Sequence, residues 1–142
     1  MIDFCIYAEM KTDEAALKAG SLLRRMIPEN VINHSNYHPL CQRPIIVSIE
    51  TKKPHGTSTA TAGLQISTWL ATQWKLLEKL VEQSDGSFDG LPFQPGIIVE
   101  GHIWLFIATT REGRKTVLWR EQMFGSTSNL DGMGIEALNR MD

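Results

Sequence analysis

Apolar and polar positions fall into two alternating patterns along the chain. Residues 2–8 hold Ile2, Phe4, Cys5, Ile6 and Tyr7, types that favour extended backbone, so a strand is predicted with Asp3 as its one charged residue. Thr12 then stands where a helix cap belongs, and Asp13 and Glu14 suit the positive end of a helix. Ala15, Ala16, Ala19, Leu22, Leu23, Met26 and Ile27 follow at helical spacing, Arg24 and Arg25 sit near the end, and Pro28 is a stop. Residues 29–44 are rich in Asn, Ser, His and Pro and read as loop, with a short strand near Val31 and Ile32.

The strongest strand covers 44–52. Its unbroken apolar run predicts burial on both faces, hence a central position, before it ends in Glu50, Thr51 and Lys52. The strongest helix covers 60–83, where Ala62, Ile66, Trp69, Leu70, Trp74, Leu77, Leu80 and Val81 make one apolar stripe. Residues 84–96, with Gly86, Gly90, Pro92 and Pro95, read as loop. A long strand is predicted over 97–109 and a returning one over 115–124, joined by a hairpin turn at Arg111, Glu112, Gly113 and Arg114. A short helix is predicted over 127–141. The order strand, helix, strand, helix, strand, strand, helix defines one α/β domain over 1–142, with helices on a mixed sheet.

Charge at the end of a buried strand costs free energy unless it is paired, solvated or bound to a metal. Glu50 and Lys52 alternate onto the same face. An acid there can hold a hard divalent cation, and a lysine can position a water or steady charge developing on a phosphate. A second carboxylate from a neighbouring strand would complete such a centre, and Asp3 in the first strand is the obvious donor.

The residues around these three resemble a known family. Asp followed by Glu-x-Lys on the next core strand is the signature of the PD-(D/E)XK nuclease superfamily. The stretches Ile-Asp-Phe-Cys-Ile-Tyr, Pro-Ile-Ile-Val-Ser-Ile-Glu-Thr-Lys and Pro-Gly-Ile-Ile-Val-Glu-Gly-His-Ile-Trp-Leu-Phe-Ile-Ala-Thr-Thr-Arg look like a fungal branch of it, over about residues 2–138. The resemblance implies a restriction-endonuclease-like fold, a mixed central sheet flanked by helices. It also implies metal-dependent phosphodiester hydrolysis with Asp3, Glu50 and Lys52 catalytic, and Mg2+ or Mn2+ held by Asp3 and Glu50.

Some members carry Gln-x-x-x-Tyr on the helix after the Glu-x-Lys strand. Gln65 matches it, with Trp69 in place of Tyr, so the resemblance adds Gln65 to the site. The family core runs α-β-β-β-α-β with its Asp on the second strand. With Asp3 near the start, an N-terminally truncated core lacking the first helix and strand is expected.

Composition modifies this picture in one respect. Net charge is −2 over 142 residues, without the basic surplus usual in proteins that grip phosphates. Nucleic acid is therefore a partner that the motif suggests and the charge does not support. Two other readings stay open: a scaffold that binds or transforms a small molecule, and a non-catalytic module that forms homo-oligomers through an exposed sheet edge. Without a signal peptide or membrane span, an intracellular location, cytoplasmic or nuclear, is expected.

Simpler roles are expected for other residues. Cys5 reads as a small buried hydrophobe, and Cys41 lies near a strand start. Trp69 and Trp74 read as core, His34 and His38 as loop residues, His55 as lying by the site mouth, and His102 as a satisfied sheet histidine. Arg111, Arg114 and Lys115 read as a solvated turn.

Overall fold

The β-branched run after Pro44 becomes the strand on which the rest of the molecule is assembled. The computed structural model describes residues 2–27, 32–35, 37–54 and 59–128. Five strands form one sheet in the order β1-β2-β3-β4-β5: β1 Phe4–Tyr7, β2 Ile45–Lys52, β3 Gln94–Glu100, β4 Ile103–Glu112 and β5 Lys115–Ser126. The β2–β3 pair is parallel and every other pair antiparallel, so the sheet is mixed.

Helix α1, Glu14–Met26, links β1 to β2, and α2, Thr59–Ser84, makes the crossover between the parallel pair. A short 3-10 helix, His38–Leu40, precedes β2. Ile32 lies in a bend, not in the strand predicted near it. Asn33 instead organises that segment, donating to the Leu40 and Arg43 carbonyls and accepting from Ile45 N–H.

The core lies between α2 and the sheet. Ala62, Ile66, Leu70, Ile98 and Ile107 pack as one buried cluster. Each large apolar side chain so buried contributes about 1.5–3 kcal/mol. Gly96 lets helix and sheet approach, since a Cβ there would lie 2.9 Å from Ile107 and 3.0 Å from Ile66.

Polar side chains at helical spacing fasten α2 to two strands. Gln65 meets Lys52, Trp69 donates to Ser48, and Gln73 donates to the Ile45 carbonyl, so helix numbers rise as β2 numbers fall. A second seam joins Trp74 to Thr109 and Glu78 to Arg111 on β4.

Several sequence expectations need correction. The long strand predicted over 97–109 is two strands, because Gly101 takes a positive φ of 58° and turns the chain at Gly101 and His102. Its missing side chain also admits Pro54, which a Cβ would meet at 3.2 Å. His102 is thus an exposed turn residue, with Nδ1 3.3 Å from Thr127 Oγ1, and not a sheet histidine.

Arg111 is no solvated turn residue. Its guanidinium is 7% exposed and bonds Glu78 at 2.7 Å, a contact that brings together residues 33 apart. The turn itself is Gly113 and Arg114, with Gly113 at φ 57° as such a tight hairpin needs.

Asp13, not Thr12, caps α1, accepting from Ala16 N–H. Of the α1 stripe, Ala15, Ala19 and Leu22 are exposed. β2 is not buried on both faces: Ser48 and Glu50 are buried, Val47, Ile49 and Thr51 between and beyond them are half-buried, and Ile46 is 51% exposed. The helix predicted over 127–141 falls almost wholly, and Pro28, Val31 and His55 fall entirely, outside the described residues.

Candidate active site

β2 delivers the site by strand alternation. Ser48, Glu50 and Lys52 point from one face toward α2, and the helix answers with Trp69 and Gln65, one turn apart. Lys52 Nζ lies 2.8 Å from Glu50 Oε1 and donates to Gln65 Oε1 at 3.4 Å. The Glu50 side chain is 1% exposed, whereas that of Lys52 is 20% exposed. The ammonium therefore reaches toward solvent while the carboxylate stays inside.

The second oxygen of Glu50 distinguishes this arrangement from an ordinary ion pair. Oε2 is buried and takes no hydrogen bond among the described residues. A buried carboxylate normally has both oxygens satisfied, because the bare atom loses its hydration without replacement.

Asp3 sits differently. It lies in a bend just before β1, not within the strand predicted to hold it. Its Oδ2 accepts from Thr51 N at 2.9 Å and Thr51 Oγ1 at 2.7 Å. The Thr51 hydroxyl, then its backbone N–H, hold the Asp3 carboxyl below the usual carboxylate range, with the Lys52 charge adding to the effect. Asp3 is exposed. The sequence set thus divides. Glu50, Lys52 and Gln65 form one contact group, and Asp3 is fastened to the residue between Glu50 and Lys52.

Sequence reasoning missed the role of Trp69. Its indole Nε1 donates to Ser48 Oγ at 3.0 Å, and the His34 ring meets it edge-on at 4.1 Å. Burial lowers the His34 pKa to about 4, and both its ring nitrogens are buried without partners among the described residues. The signal available was the i, i+4 pair Gln65 and Trp69, which placed both on the β2 side of the helix.

Beside Asp3 opens a cavity of about 460 Å³, whose walls include Cys5, Tyr7, Tyr37, Arg43 and Trp69. Burial raises the Cys5 thiol pKa, which favours its protonated form. The Arg43 guanidinium lies 5.0 Å from the centre of the Tyr7 ring and pairs with Glu9.

Among the described residues no group of three or more His, Cys, Asp or Glu is placed to hold a metal ion. Mg2+ does not require one, because it commonly binds through one or two carboxylates and keeps several waters. The bare Glu50 Oε2 fits such a cation, and both Thr51 contacts fall on Oδ2 of Asp3.

A mixed sheet with Glu-x-Lys ending a buried strand, crossed by a long helix, defines a nuclease-like α/β class. The family model of the PD-(D/E)XK nuclease superfamily matches residues 1–134, and the chain belongs to that superfamily. No curated protein and no solved structure matches it. Among the described residues, no helix is long and apolar enough to cross a membrane.

Proposed function

We propose that this protein is a metal-dependent phosphodiester hydrolase acting on nucleic acid, with Glu50 and Lys52 at its centre and Asp3 and Glu50 holding Mg2+ or Mn2+. The observation that carries this reading is the Glu50 carboxylate. It is almost fully buried, with one oxygen on Lys52 and the other on nothing among the described residues.

A divalent cation in such a centre supplies Lewis-acid polarisation of the phosphate. Lys52 then has the chain's own part in the chemistry. Its ammonium, held between Glu50 and Gln65, orients the attacking water or steadies charge on the phosphate oxygens. Gln65 positions Lys52 without reacting. The aromatic walls of the cavity beside Asp3 offer a base a surface on which to stack.

Cleavage of plasmid and oligonucleotide substrates with Mg2+ and with Mn2+, run beside Glu50→Ala, tests this. Metal-dependent cleavage that drops at least about a hundredfold in the variant is expected. No metal-dependent activity above that of Glu50→Ala would end the reading.

One observation favours a second reading, a module that pairs with another copy of the chain. β1 is an outer strand, and its Phe4, Ile6 and Tyr7 are 62%, 50% and 40% exposed. Such an edge invites strand addition. Sedimentation showing a monomer at high protein concentration would count against it.

A further inference from the structure

The aromatic cavity beside Asp3 does not stand alone. A second cavity, of about 420 Å³, shares Pro39 and Arg43 with it as wall residues, so the two adjoin. The other walls of the second cavity come from the turn before α1, from α1 itself and from the segment before β2.

Charge distinguishes this second cavity. Lys11, Arg24 and Arg43 line it, with Glu9 as the one acid among its wall residues. Glu9 is already engaged, 3.4 Å from Arg43 Nε. Lys11 is exposed and Arg24 half-buried, and neither side chain has an ion pair or hydrogen bond among the described residues. The net charge of the whole chain is −2, so the cavity concentrates positive charge that the total conceals.

Arg43 is fixed at the junction by three contacts. Nη1 donates to the Pro39 carbonyl at 3.3 Å, Nε pairs with Glu9, and the guanidinium lies 5.0 Å from the centre of the Tyr7 ring. A guanidinium held in this way loses little further freedom when an anion binds it.

The first cavity supplies faces on which to stack. Tyr37 and Tyr7 are 57% and 40% exposed, and Trp69 lines the same concavity. Single exposed aromatics are ordinary, but three around one hollow beside a cluster of cations are not. In a duplex the bases are paired and stacked on one another. Only an unpaired base presents its face to a side-chain ring.

We propose that the nucleic acid bound here is single-stranded. A base stacks in the aromatic cavity, and the backbone passes Arg43 and sets its next phosphates on Lys11 and Arg24. The inference rests on the proposed action on nucleic acid and narrows it to unpaired substrates. Aromatic platforms joined to a cationic groove are the general means of holding a single strand, in DNA or in RNA.

Fluorescence anisotropy on the whole chain tests this in EDTA, where metal-dependent cleavage is stopped. The probes are labelled DNA and RNA single strands of about ten nucleotides, with the matching DNA duplex. At least one single strand is expected to bind at least about tenfold more tightly than the duplex, and the tighter of the two identifies the sugar. Tyr37→Ala should weaken that binding at least about fivefold. Lys11→Gln and Arg24→Gln should each flatten the slope of log affinity against log salt by about 0.7.

Duplex binding as tight as that of the single strands would overturn the proposal. So would Tyr37→Ala binding like the parent, or an unchanged salt slope in Lys11→Gln. Lys11 is exposed, so its variant decides if Arg24→Gln does not fold. A chain that meets these expectations yet cuts nothing with Mg2+ or Mn2+ would end the hydrolase reading and leave the single-strand site standing. A chain that cuts duplex and shows none of these preferences would do the reverse.

Discussion

The two acids of the motif live in opposite surroundings. Glu50 is inside β2, covered by α2 and 1% exposed, with Lys52 on one oxygen. Asp3 is outside β1, exposed, with Thr51 on one oxygen. Yet each keeps an oxygen to which no hydrogen bond from a described residue is assigned. For Asp3, water covers the shortfall. For Glu50 no described residue does, and in the proposed centre the interior acid is the one with the stronger demand for a cation. In the proposed centre the exposed acid contributes by where Thr51 holds it.

Substitutions at the two ends should separate these roles. The largest effect is expected at Lys52. Lys52→Met removes the charge paired with Glu50 and leaves a buried carboxylate without it, which should lower stability by about 3 kcal/mol in denaturant unfolding. Added Mn2+ should recover part of that loss, because a ligand bound only by the folded chain stabilises it. A loss that Mn2+ leaves untouched would mean that the bare oxygen has no affinity for the ion.

A smaller effect should follow pH. The His34 imidazole, lowered to about 4 by burial, stays neutral in the folded chain. Between about 6.5 and 4 the unfolded chain takes up a proton that the folded chain refuses. Stability is thus fully present above the unfolded value and falls as pH drops toward 4, by on the order of 2 kcal/mol after allowance for partial exposure.

His34→Leu should flatten that window in urea titrations taken across it. Asp3 behaves differently, since its lowered carboxyl protonates only below the ordinary 3.8. The Thr51 clasp should outlast the interior packing on acidification.

The smallest effect is expected from Asp3→Asn without metal. The side chain is exposed and an amide oxygen can still accept from Thr51, so unfolding should shift by less than about 0.5 kcal/mol. A larger loss would show that the clasp, and not the cation, is the main role of this residue.

Much of this contrast was legible in the sequence at Glu50 and Lys52. An apolar run ending in alternating charge can only put both groups on one face, and the α2 stripe fixed which side the helix covers. The surroundings of Asp3 were not legible. A bend before β1 and two hydrogen bonds to Thr51, 48 residues away, are tertiary facts without a local pattern.

The same limit hid the Arg111–Glu78 pair. The turn at Gly101 was hidden for another reason. Apolar runs on both sides merged into one apparent strand, and only a single glycine marked the reversal.

Mn2+ calorimetry on four chains, the parent, Glu50→Gln, Asp3→Asn and the double variant, addresses the shared cation directly. If both carboxylates hold one ion, the parent binds Mn2+, Glu50→Gln removes most of the affinity, Asp3→Asn weakens it, and the double variant is little worse than Glu50→Gln. Mn2+ binding by Glu50→Gln as tight as by the parent, or no binding by the parent at all, would contradict a metal centre at Glu50.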